Sequence, residues 1–169
     1  MKLMIASDIH GSAYYCKLLI NAFEKSDCEK LVLLGDLLYH GPRNDLPKDY
    51  DPKTVAALLN SISDRIICVR GNCESEVDQM MLTFPCLAEY AVILDGNITM
   101  TLSHGHNTEK LEKCLPKGSF LLCGHTHIPK VEVFENFTKI NPGSVSIPKE
   151  NSTHGALVYE NGSFERFDL

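Results

Sequence analysis

The chain opens on a short apolar run, Lys2–Ala6, that stops at the polar pair Ser7-Asp8, which is the length and pattern of a buried strand. Tyr15, Leu18, Leu19, Ala22 and Phe23 then recur at helical spacing and predict an amphipathic helix over Ser12–Lys25. Leu31–Leu34 reads as a second buried strand, ended by Gly35-Asp36. The Pro-, Asp- and Asn-rich stretch from Tyr39 to Asp51 is a loop. Asp51-Pro52 supplies an N-cap followed by proline at the first helical position, and Val55, Leu58, Leu59 and Ile62 continue that helix on one face. Ile66–Val69 is a third strand leading into Gly71-Asn72, and Glu76–Met81 a short helix.

Beyond this point the pattern changes to short strands. Val92–Leu94 and Ile98–Leu102 flank Asp95-Gly96, a hairpin signal because glycine takes positive φ at little cost. Thr108–Leu115 is expected to be helical. Phe120–Cys123, Val131–Phe134, Phe137–Ile140, Ala156–Tyr159 and Ser163–Phe167 read as strands, the last two joined by Asn161-Gly162. The first half is thus βαβαβ, which implies parallel pairing with right-handed connections, and the second half is mostly β. A helix–sheet–sheet–helix sandwich accommodates both. No repeat, linker or low-complexity segment interrupts residues 1–169, so a single domain is expected.

Composition narrows the function. The 16 Lys and Arg against 22 Asp and Glu give a net charge of −6, and no basic run is present. The clustered cations that bind nucleic acid or anionic membranes are therefore missing. An acidic chain can still bind a phosphate ester if metal ions supply the local positive charge. The seven cysteines are an odd number with no C-x-x-C pair. The chain starts on a strand rather than on a leader, and its apolar runs are too short to cross a bilayer. These features lead us to expect a reducing, cytoplasmic setting.

Candidate chemistry lies in where the polar residues fall. Asp8 and His10 follow the first strand, Asp36 the second and Asn72 the third. His104 follows the hairpin's second strand, and His125 and His127 follow Phe120–Cys123. Ligands of open α/β sheets bind just outside the carboxyl ends of strands. Taken singly, Asp-Ile-His, Gly-Asp, Gly-Asn or His-Thr-His can each be an ordinary turn. Together they bring imidazole, carboxylate and amide carbonyl donors from five strand ends. Two metals about 3.5–4 Å apart need one bridging ligand and several terminal ones, and Asp36 is the natural bridge. Mixed N/O donors suit Mn²⁺, Fe²⁺ or Zn²⁺.

Asp8-Ile9-His10, Gly35-Asp36, Gly71-Asn72-Cys73-Glu74, His104-Gly105-His106 and Gly124-His125-Thr126-His127 occur in the order seen in calcineurin-like metallophosphoesterases. The resemblance covers nearly the whole chain and is closest to the YfcE-type small phosphodiesterases. His40–Asn44, Val69–Gln79 and Asn141–Lys149 look particularly like that subgroup. It implies a four-layer α-β-β-α sandwich of two mixed β-sheets flanked by helices. It also implies one metal on Asp8, His10, Asp36 and His127 and a second on Asp36, Asn72, His104 and His125. Manganese is the first expectation, with zinc, iron or nickel as alternatives. A hydroxide bridging the ions would attack a small phosphodiester in line with the departing alkoxide.

Two positions depart from the wider superfamily. Many members carry His after Gly-Asn to assist the leaving group, whereas this chain has Cys73, a weaker donor, as the YfcE-type proteins do. Protein phosphatases of the superfamily carry Asp-Arg where Tyr39-His40 stands here, so the guanidinium clamp is absent. His40 or Arg43 is expected to take over part of that substrate contact, with a solvated loop as the alternative. His106 is a candidate catalytic residue, either supporting the ligands or contacting substrate, with a turn residue as the alternative, and His154 is read as an isolated surface histidine. Asn141-Pro142-Gly143-Ser144 is a tight turn without assigned chemistry. Met80–Pro85 offers either a subunit contact in a homodimer or tetramer or a buried short helix. The competing functions are a non-catalytic protein-binding scaffold of the same fold, for which missing ligands would be expected, and a phosphomonoesterase or nuclease.

Overall fold

The computed structural model describes residues 1–169. In chain order the strands are β1 Lys2–Ala6, β2 Lys30–Leu33, β3 Ile66–Cys68, β4 Ala91–Asp95, β5 Ile98–Leu102, β6 Ser119–Leu122, β7 Lys130–Val133, β8 Phe137–Asn141, β9 Gly155–Glu160 and β10 Ser163–Asp168. The helices are α1 Ala13–Lys25, α2 Pro52–Asn60, α3 Glu76–Met81 and α4 Glu109–Glu112. Two five-stranded sheets form, in the orders β10-β9-β1-β2-β3 and β4-β5-β6-β8-β7. Both are mixed: β1, β2 and β3 run parallel, as do β5, β6 and β8, while β9, β10, β4 and β7 pair antiparallel.

Strand alternation builds the layers. Along β1, Leu3 and Ile5 face the second sheet and, with Val32 and Tyr159 of their own sheet, pack in one core with Met100, Leu102, Leu122 and Ile140. Met4 and Ala6 face the other way, onto α1 and α2, where Cys16, Leu19, Phe23, Val55 and Leu59 are buried. Both faces of the parallel strands are covered, which is why they read as unbroken apolar runs. Full burial of a side chain such as Leu19 or Phe23 stabilises the fold by about 1.5–3 kcal/mol.

The helix starts follow their caps. The Ser12 hydroxyl accepts the Tyr15 N–H at 3.3 Å and donates to the Lys48 carbonyl at 2.6 Å, so it also pins the long loop. Asp51 accepts the Thr54 N–H at 3.1 Å ahead of Pro52. Both hairpins form; Asn161 and Gly162 take φ of 50° and 85° between β9 and β10.

Three expectations need correction. The helix predicted over Thr108–Leu115 is a single turn, α4, because only Leu111 and Leu115 find apolar partners before Pro116 and Gly118 stop it. The fourth layer is therefore thin, and the outward-facing Val92 and Leu94 of β4 stay exposed. His154 is not isolated: its ring stacks on Tyr15 with centroids 3.8 Å apart, and its Nδ1 donates to the Val145 carbonyl. Met80–Pro85 divides, with Met80 and Met81 exposed and Leu82 and Phe84 buried. No helix is long and apolar enough to cross a membrane.

Candidate metal centre

The seven candidate residues meet at one end of the sandwich, in the turns after β1, β2, β3, β5 and β6. Five of them, Asp8, His10, Asp36, His125 and His127, hold positive φ between 47° and 69°. Left-handed backbone at non-glycine residues carries strain that the surrounding structure must offset, and it concentrates at functional turns. Here it sharpens each turn so that the side chain comes back over the strand ends.

Three of the histidines are oriented by backbone carbonyls. Nδ1 of His10, His104 and His127 lies 2.7 Å from the carbonyl oxygens of Tyr39, Leu34 and Ile147 respectively. A carbonyl only accepts, so each Nδ1 carries the proton and Nε2 faces inward. The Nε2 atoms of His10 and His127 stand 3.2 Å apart, with Asp8 Oδ1 at 3.6 and 3.3 Å from them. Asp8 Oδ1 is buried without a hydrogen-bond partner. Two lone pairs and an orphaned carboxylate oxygen at this separation repel unless a cation or proton sits among them.

A second convergence adjoins the first. Asn72 Oδ1 lies 3.0 Å from His104 Nε2 and 2.8 Å from His125 Nδ1, and Asp36 Oδ2 lies 3.3 Å from His104 Nε2. The two sets share Asp36, whose Oδ2 is also 3.6 Å from His10 Nε2. Its other oxygen accepts the Cys73 N–H at 2.9 Å. The ligand atoms of Asp8, His10 and His127 lie within 4.8 Å of one another, as do those of Asp8, Asp36 and His104, so both groups could hold a metal ion. The Cys73 sulfur falls within the same distance of His10 and Asp36.

The electrostatics agree. Burial acts to raise the Asp8 carboxyl, yet the close imidazoles of His10, His127 and His104 hold it well below the usual range. Burial acts to lower His104, but the Asp36 bond and both carboxylate charges raise it to about 9.

Glu74 binds the turns together. Its buried carboxylate accepts the backbone N–H groups of Asp36 at 2.9 Å, Leu37 at 2.6 Å and Gly71 at 2.5 Å. The sequence reading included Glu74 only within a motif and gave it no role; a lone Glu carries no signal that it will meet three amides.

A cavity of about 440 Å³ opens over the cluster, lined by Arg43, Asn44, Cys73, Thr126 and Lys149 among others. Arg43 lines this cavity. His40 is absent from the lining, and its half-buried ring packs edge-on against Tyr39 and Tyr50. His106 is exposed and also lies outside this cavity, with its ring 5.6 Å from that of His104. Lys149 and Asn44 were missed. Lys149 comes in because its N–H bonds the His127 carbonyl, a contact 22 residues away in sequence.

The chain is similar to known proteins. The calcineurin-like phosphoesterase superfamily domain matches residues 1–162. Phosphodiesterase YfcE of Escherichia coli K12 is 48% identical over 151 residues, covering 88% of this chain and 82% of that protein. The solved structure of YfcE, a phosphoesterase from E. coli, superposes with a TM-score of 0.88 at 43% identity, over 95% of this chain and 89% of the other. Vps29 of Entamoeba histolytica, solved with zinc, shares the fold at a TM-score of 0.61 but only 18% identity, over 99% of each chain. This chain belongs to the calcineurin-like phosphoesterase superfamily.

Proposed function

We propose that the protein is a phosphodiesterase that hydrolyses a small phosphodiester at a dinuclear centre. One divalent cation is held by Asp8, His10, Asp36 and His127, the other by Asp36, Asn72, His104 and His125. The observation that carries this reading is the position of Asp36 Oδ2, 3.6 Å from His10 Nε2 and 3.3 Å from His104 Nε2, in reach of both donor sets. Its partner oxygen is engaged by the Cys73 N–H, which fixes the carboxylate plane. The donors suit Mn²⁺ first, with Zn²⁺, Fe²⁺ and Ni²⁺ as alternatives. When bound, the cation pair supplies a hydroxide nucleophile at neutral pH and charge for the phosphoryl oxygens.

The chain's own side chains do the rest. Arg43 and Lys149 bring positive charge to the cavity over the cluster, attracting an anionic ester to a chain of net charge −6. Burial and the Asp36 charge push the Cys73 thiol up, so it stays a neutral S–H and gives little acid assistance to a poor leaving group. A relative named as a phosphodiesterase, 48% identical, supports diester chemistry. Complete donor sets speak against a non-catalytic scaffold, and the absence of basic runs against a nuclease. Seven unpaired cysteines suit the reducing cytoplasm.

The test is Mn²⁺-dependent cleavage of a chromogenic phosphodiester alongside metal uptake. Asp36→Asn and Asn72→Ala should abolish cleavage, with circular dichroism unchanged; activity retained in both variants would defeat the proposed site. In the same assay Cys73→His should flatten the dependence of rate on leaving-group acidity. Identical rates across that series would remove Cys73 from the mechanism.

A further inference from the structure

A larger cavity, about 580 Å³, lies on the outer face of the second sheet beside the metal cluster. A row of hydroxyls in its lining comes from one strand and its extension. Met100 and Leu102 of β5 point into the core between the sheets, so Thr99, Thr101 and Ser103 point outward into the cavity. The side chains of Thr101 and Ser103 are nearly buried, and neither hydroxyl has a hydrogen-bond partner in the protein. Val92 and Leu115 supply apolar walls, and Tyr90 stands exposed beside them. The charged lining residues, Glu89 and Lys110, are exposed, so the buried part of the cavity carries hydroxyls and no charge.

The cavity reaches the cluster through His106. Gly105, at φ +112°, turns the chain so that His104 is buried among the donors while His106 is exposed and lines the cavity. The His106 ring lies 5.6 Å from that of His104 and 6.0 Å from that of His125. A group extending from phosphorus at the cluster past His106 would enter the cavity.

We infer that this cavity is a subsite for the nucleoside arm of the phosphodiester, with the base seated against Thr101 and Ser103. Hydroxyls both donate and accept, which matches the mixed edge of a heteroaromatic base. The apolar walls and Tyr90 suit its faces. A charged group would find no buried counter-charge there. This inference rests on the diesterase reading and narrows its substrate to nucleotide diesters.

The experiment compares methyl p-nitrophenyl phosphate with thymidine p-nitrophenyl phosphate, which share a leaving group and differ in the retained arm, on the Mn²⁺-loaded enzyme. Thr101→Val should raise KM for the thymidine ester roughly threefold to tenfold, the worth of one hydrogen bond, and leave the methyl ester unchanged. Equal effects on both esters, or no effect, would overturn the subsite. A second readout needs no turnover: Cys114, an exposed thiol in the cavity lining, should be alkylated by iodoacetamide more slowly with thymidine monophosphate present, and at an unaltered rate with inorganic phosphate. Alkylation unaffected by the nucleotide overturns the subsite. Failure of the wild type to cleave either ester defeats the diesterase reading instead, and the alkylation result then decides the subsite alone.

Discussion

Glu74 accepts the backbone N–H of Asp36 at 2.9 Å, a bond between residues 38 apart in sequence. The same carboxylate holds Leu37 and Gly71, so one side chain ties the turn after β2 to the turn after β3. The shared carboxylate and the Asn72 carbonyl are thereby held in register. Replacing Glu74 with Gln puts an NH₂ group against at least one N–H. The orphaned amide should cost about 1–3 kcal/mol of stability. Manganese affinity and diester turnover should fall more than tenfold, since a ligand frame displaced by even a fraction of an ångström loses its geometry. Urea unfolding and metal titration of the variant check this; unchanged values would show the tie to be dispensable.

Gly71 and Gly124 matter for closeness rather than for backbone conformation, because neither takes positive φ. A Cβ on Gly71 would run into the Asp36 carboxylate and come within 2.7 Å of Glu74 Oε2; one on Gly124 would meet Ser7 and stand 2.7 Å from Asp8 Oδ2. Gly71→Ala and Gly124→Ala should each reduce metal affinity and activity by tenfold or more. Gly96→Ala is the control: a Cβ there meets nothing within 4 Å, and its φ of +59° limits the damage to strain of about 1 kcal/mol. Equal metal affinity in all three variants would refute the close-approach account.

Two raised groups give the metal-free protein a stability that falls as pH rises. Burial and the Asp36 charge raise Glu74 from 4.5 to about 7, so its contribution is full below 4.5 and lost as pH passes 7. His104 is raised from 6.5 to about 9, so its contribution is full below 6.5 and lost as pH passes 9. Both slopes have the same sign. A cation bound at His104 would displace its proton. Stripped protein should therefore melt at steadily lower temperature from pH 6.5 to 9, while Mn²⁺-loaded protein stays nearly level and loading releases protons into a weak buffer. A flat profile for the stripped protein would contradict the His104–Asp36 coupling.

The sequence by itself determined the order of elements and the position of the chemistry along the chain. Short, mostly apolar runs such as Lys2–Ala6 read as strands covered on both faces, and polar residues just past parallel strands gather at one edge of their sheet. That logic singled out Asp8, His10, Asp36, Asn72, His104, His125 and His127 from where they fall along the chain. Tertiary structure decided what depends on contacts between distant residues. Lys149 comes to the cavity because its N–H pairs with the His127 carbonyl, and the His40 ring packs against Tyr39 and Tyr50 instead of lining it. The Thr99–Ser103 hydroxyl row became a cavity floor only when α4 stopped after one turn beside it. Helix and strand periodicity is written within a few residues, but which loop backbone meets which side chain is set by packing across the whole chain.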